Sequence, residues 1–247
     1  MARQTGIIKL KGTIDGLNFY QTKFGSLVRK GGGGFNSKAI KTKASMVRVR
    51  ENASEFGRVS RVKLLFRMGL EPFLQSCKDS TRHGRMIRVL QEIKTLDAVS
   101  ERGKRDVALG LATPMGKKLW REFDLTERSP EDLLPGTYQV AAGSTGLTVS
   151  DLDLSRLVFP KGATLVELRY GVLDVDFSAL SFHLHMAAPL FMDKDFADSS
   201  VSLALDGGIV MTGTLFPVVG VRFFQVVGGE KYLFKETVWQ GVRFFGE

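Results

Sequence analysis

The sequence predicts an α+β protein: an N-terminal β-hairpin and helical segment followed by a C-terminal antiparallel β-sandwich or jelly-roll-like domain. Three observations carry that expectation. Apolar residues alternate at a period of two over residues 6–30, recur at three- and four-residue steps through 45–111, and give way beyond 137 to short β-rich runs separated by Gly, Asp and Pro turns. Charge changes along the chain: residues 1–122 carry 26 Lys and Arg against 10 Asp and Glu, a net of +16, whereas residues 123–247 carry 9 against 16, a net of −7. At 247 residues, with 43% hydrophobic and 25% charged side chains, the chain is long enough to bury a substantial core.

The first element is a hairpin or small meander. Ile8, Leu10, Gly12 and Ile14 alternate with Lys9, Lys11 and Thr13, and Asp15-Gly16 supplies a turn because both residues tolerate positive φ. Leu17–Thr22 resumes the extended pattern, Phe24-Gly25 turns it again, and Ser26–Lys30 returns. Strands this few and short are marginal in water unless another surface covers them. Ile8, Leu10, Ile14, Leu17, Phe19, Tyr20 and Leu27 are therefore the expected contact residues of an assembly arm over 1–34. Gly31, Gly32, Gly33 and Gly34 are its expected hinge. The glycine run has no Lys-Ser/Thr ending, so a phosphate-binding P-loop is not indicated.

A basic helical region is expected over 35–123. Met46, Val49, Ala53, Phe56, Val59, Val62, Leu65, Phe66 and Leu70 recur at helical spacing, with Pro72 starting a new turn. A second helix begins near Asp79-Ser80 and turns Met86, Leu90 and Ile93 inward, placing Arg82, Arg85 and Arg88 along one side. Lys104–Leu111 and Met115–Phe123 read as shorter helices. With Lys38, Lys41, Lys43, Arg48 and Arg50, the three arginines form the expected contact set if the partner is nucleic acid. Phe19, Tyr20 and Phe24 among Lys23, Arg29 and Lys30 add the aromatic and cationic mixture that single strands stack on, although one packed and one wet sheet face gives the same mixture.

Residues 124–136 are acidic and carry Pro130 and Pro135, which reads as a linker. An all-β domain over 137–247 follows, with strands expected at Thr137–Ala141, Leu147–Ser150, Thr164–Val175, Ser181–Ala187, Ser200–Asp206, Ile209–Val219, Val221–Val227 and Lys231–Phe245.

Catalytic patterns are missing from this framework. The chain has no Gly-x-Ser-x-Gly elbow and no dinucleotide-binding glycine motif after a strand, so no catalytic residues and no cofactor are assigned and the expected function is non-enzymatic. Cys77, the single cysteine, reads as a buried reduced thiol. His183 and His185 flank Leu184, and a strand places both imidazoles on one face; they are weak metal candidates without a third ligand. Asp193, Asp195 and Asp198 read as a solvated acidic loop. No apolar run reaches membrane-spanning length, and the opening residues are too charged for a secretory signal. The expected location is cytoplasmic or within an assembled virion or particle, with no membrane partner.

One local likeness bears on this reading. Gly6–Tyr20, Leu27–Gly32 and Arg48–Arg58 resemble the opening of an uncharacterised family of short bacterial and prophage-associated proteins, over about the first quarter of the chain. The resemblance brings no catalytic residues; it implies a virion or assembly setting. The expected function is a self-assembling structural subunit, of a virion, tail, shell or filament, whose partners are other copies of itself. A nucleic-acid-binding protein using the basic half is the alternative.

Overall fold

The computed structural model describes residues 2–31 and 37–246, so Gly32, Gly33 and Gly34 of the expected hinge lie outside the described residues. The chain divides into two compact units, Met1–Arg50 and Glu51–Glu247.

The first unit is a small antiparallel sheet. Strands β1 (Ala2–Arg3), β2 (Gly12–Ile14), β3 (Leu17–Thr22) and β4 (Gly25–Lys30) lie in the order β1-β4-β3-β2, and helix α1 (Ser37–Thr42) follows. Asp15 and Gly16 take φ of 45° and 72°, the positive pair a two-residue β2–β3 turn requires. The alternation expected from Ile8 onward does not become a strand before Gly12. Gln4 competes for that backbone: its Oε1 accepts the Leu10 N–H at 2.8 Å, while its Nε2 donates to the carbonyls of Leu10 at 3.3 Å and Leu27 at 3.1 Å. Gly31, expected to be a free joint, instead donates its N–H to the Gly16 carbonyl, and a Cβ there would meet that oxygen at 2.9 Å.

Helix α2 (Val47–Gly69) has its first four residues in the first unit and the rest in the second, where α3 (Glu71–Leu74), α4 (Arg82–Thr95), α5 (Val107–Leu111), α6 (Pro114–Arg121) and α7 (Pro130–Leu133) precede the strands. Their starts are written locally. Asp106 caps α5, Thr113 caps α6 with Pro114 following, and Ser129 and Asp132 form a reciprocal capping box on α7.

The strands build two sheets. β5 (Thr137–Val140), β6 (Gly146–Ser150) and β10 (Val201–Ala204) form one, in the order β10-β6-β5. The other is centred on β7 (Leu165–Asp176) and β11 (Thr214–Val227), with β8 (Ser181–Met186), β9 (Leu190–Asp193), β12 (Glu230–Leu233) and β13 (Gln240–Phe244). β7 and β11 pair without interruption from Thr214↔Val175 to Phe224↔Leu165. The break expected near Gly220 is therefore absent, and residues 209–213 stay outside the strand.

The large sheet is buried on both faces. Val166, Leu168, Tyr170 and Val172 of β7, with Val219, Val221 and Phe223 of β11, pack against Leu147, Val149, Val201 and Leu203 of the small sheet. The alternate positions Leu173, Val175, Phe216 and Val218 pack against Val59, Val62 and Phe66 of α2, against Leu70 just after it, and against Trp120. Phe66 sits at the centre of this second core, its ring 4.4 Å from Trp120 and 5.0 Å from Phe216.

This arrangement supports the α+β class and corrects the expected boundaries. Residues 51–123 and 137–247 belong to one unit rather than two domains, because the apolar outer face of the large sheet needs the helices as its cover. Residues 124–136 are not a free linker either. Leu125 is fully buried, and Asp124 and Arg128 bridge to Arg243 and Gly241 at β13.

Candidate assembly surface

The strand register sorts the first unit's side chains onto two faces. One face carries Ala2, Ile14, Leu17, Phe19 and Val28, with Lys30, Gln21 and Ser26 at its margins. The other carries Arg3, Thr13, Asn18, Tyr20, Leu27 and Arg29. On that second face the Arg29 guanidinium lies 5.4 Å over the Tyr20 ring, so this cation and this aromatic already engage each other. Lys23 does the same for Phe24 at 5.1 Å. Two aromatics and two cations of the expected mixture thus engage each other within the first unit.

The first face is apolar and open. Ile14 and Leu17, paired across β2 and β3, are 52% and 43% exposed, while Phe19 and Val28 are half-buried. No described residue of Met1–Arg50 is buried, although the unit has four strands. Ile7 and Ile8 project from the loop that Gln4 staples and are almost wholly exposed, and Leu10 is 42% exposed. Of the seven expected arm residues, Ile14, Leu17 and Phe19 share the apolar face, Tyr20 and Leu27 lie on the opposite face, and Ile8 and Leu10 lie in the loop. Sequence pattern alone missed Val28 and Ala2 on the apolar face, and Gln4 behind the loop. Their signal is the pairing register, which no local pattern contains.

The expected basic row breaks up. Arg82 donates to the carbonyls of Leu125 at 2.7 Å and Cys77 at 2.9 Å; Arg85 donates to the Asp124 carbonyl at 2.6 Å and to Asp79 at 2.7 Å. Both arginines tie residues 124–125 to α4 rather than facing outward together, which leaves Arg88 as the exposed member. Arg50 donates to the Ile40 and Lys43 carbonyls. Lys38, Lys41, Lys43 and Arg48 are exposed.

His183 and His185 share a face of β8 as their spacing requires, with ring centroids 6.4 Å apart. Among the described residues no group of three His, Cys, Asp or Glu side chains is placed to hold a metal ion. Cys77 is buried, and burial pushes its thiol pKa up. No helix among the described residues is long and apolar enough to cross a membrane.

No family model, curated protein or solved structure matches this chain. The residues themselves therefore carry the functional reading.

Proposed function

We propose that the chain is a non-enzymatic, self-assembling structural subunit of a particle such as a virion, tail, shell or filament, and that its N-terminal sheet makes the contact between copies. The observation that carries this reading is a four-stranded sheet without a buried described residue, whose one apolar face holds Ile14, Leu17, Phe19 and Val28 in register. An exposed apolar face of this kind marks an interaction surface, and covering it stabilises the sheet. Its edge strands, β1 and β2, are only two and three residues long, and short edges discourage strand addition. The contact therefore runs through the face rather than along an edge. The net charges of +16 and −7 in the two halves favour head-to-tail contact between copies.

Light scattering on the full chain across a range of concentrations tests this reading, alongside a chain shortened to residues 47–247. The shortened chain retains every buried described residue and both cores. The full chain is expected to associate as concentration rises and the shortened chain to stay monomeric. Monomers in both cases at high concentration would overturn the proposal.

A further inference from the structure

Two lysines of the second unit are buried, and they are held differently. Lys94 donates to Glu55 Oε2 at 2.6 Å. Lys63, 8% exposed on α2, has its ammonium 3.0 Å from His83 Nδ1 of α4, and among the described residues no carboxylate forms an ion pair with it. An ammonium only donates, so His83 Nδ1 is the acceptor. This contact satisfies one N–H of Lys63 but brings no negative charge to it, and a buried charge without a counter-charge is costly.

The space beside this pair is a cavity of about 680 Å³ between α2 and the start of α4. Arg67 lines it, exposed and without a side-chain partner among the described residues. Two carboxylates also line it. Asp79 is already spent on the Thr81 and Arg82 N–H groups and on Arg85, while Glu71 is exposed. Leu64, Met68, Leu74 and Met86 form the apolar part of the wall, and Gln75, Ser80, Arg82 and His83 complete it.

We propose that this cavity binds a phosphomonoester with an apolar body. Its phosphoryl oxygens accept from Lys63 and Arg67, supplying the counter-charge that Lys63 lacks, and its organic part lies against the Leu64, Met68 and Met86 side chains. The volume exceeds what a bare oxyanion fills, which favours an organic phosphate over the inorganic ion.

Calorimetric titration of the full chain at constant ionic strength tests this, with phenyl phosphate, inorganic phosphate and benzoate as probes. Phenyl phosphate is expected to bind more tightly than inorganic phosphate, and benzoate more weakly than phenyl phosphate. Lys63→Met is expected to weaken phenyl phosphate binding about tenfold or more, with an unchanged far-ultraviolet dichroism spectrum. Arg67→Gln, on an exposed side chain, is expected to weaken it without touching the core, and Lys78→Met to leave it unchanged. Failure of phenyl phosphate to bind, or equal binding to the parent and both cavity variants, would overturn the proposal. Equal affinity for benzoate would overturn the phosphoryl assignment, and equal competition by an oligonucleotide lacking terminal phosphates would overturn the monoester assignment.

Discussion

Glu55 and Arg105 form a two-pronged ion pair, with Arg105 Nε 2.9 Å from Oε1 and Nη2 3.0 Å from Oε2 of a carboxylate that is 1% exposed. The same carboxylate accepts from Lys94 at 2.6 Å and from the Gly103 N–H at 2.8 Å, so one residue of α2 anchors α4 and the loop before α5. Removing its charge leaves Lys94 buried and unbalanced. Glu55→Gln is expected to cost about 3–5 kcal/mol in urea unfolding. The double variant Glu55→Gln, Lys94→Met is expected to recover part of that loss, because it removes the stranded charge as well.

Acid sensitivity follows from the same region. The hydrogen bond from Arg105, joined by those from Lys94 and Gly103, holds the Glu55 carboxyl at about 2 instead of its ordinary 4.5. Burial works against the charged form of Asp97, but the N–H groups of Ser100, Asp106 and Val99 outweigh it and hold that carboxyl at about 2 as well. Both groups bind protons more weakly folded than unfolded, so their stabilisation is complete above the unfolded pKa and is lost as pH falls towards the folded one. The contributions are about 3 and about 2 kcal/mol. Urea midpoints are expected to be level above pH ~5 and to fall steeply between pH ~4.5 and ~2, and Asp97→Asn is expected to reduce that slope.

Phe73 occupies a slot that two glycines leave in the large sheet. A Cβ on Gly220 would come within 2.8 Å of its ring and one on Gly171 within 3.2 Å. Arg169 closes the arrangement: its guanidinium lies 4.6 Å over the ring and donates to the Pro72 and Phe73 carbonyls at the end of α3. Gly220→Ala is expected to destabilise by about 1–3 kcal/mol through overpacking. The same substitution is expected to cost less in a Phe73→Leu background, where thermal unfolding of the four chains of the cycle measures the coupling.

How much of this was legible beforehand depends on the range of the interaction. Helical spacing located α2 and α4, because burial on one face imprints a local period, and β-rich runs between turn residues located β5–β8, including β7, which is buried on both faces. The continuity of β11 was hidden by Gly220, whose role is to admit Phe73 from a distant helix. Pro130, Pro135 and the acidic side chains suggested a linker at 124–136, but the Asp124 and Leu125 carbonyls are held by Arg85 and Arg82, some 40 residues earlier. Three-residue spacing could place the arginines on one side of a helix, yet could not reveal that two of them were already engaged. The burial of Lys63 against His83 of α4 is likewise a contact between distant helices that helical spacing does not contain.

The apolar face of the N-terminal sheet gives a prediction that separates its role in assembly from its role in folding. Ile14 and Leu17 pair directly across β2 and β3 and are exposed, so replacing both with lysine removes apolar contact area and adds like charges side by side. The fold of Glu51–Glu247 rests on two cores that contain neither residue. Ile14→Lys, Leu17→Lys is therefore expected to shift association of the full chain to at least about tenfold higher concentration, since ~1.4 kcal/mol of lost contact energy suffices for that factor. The main unfolding transition is expected to stay within about 0.5 kcal/mol of the parent. Thr13→Lys, on the opposite face one residue away, is expected to leave association unchanged. Equal effects from the two faces in sedimentation velocity would show that added charge, not the apolar face, governs the contact.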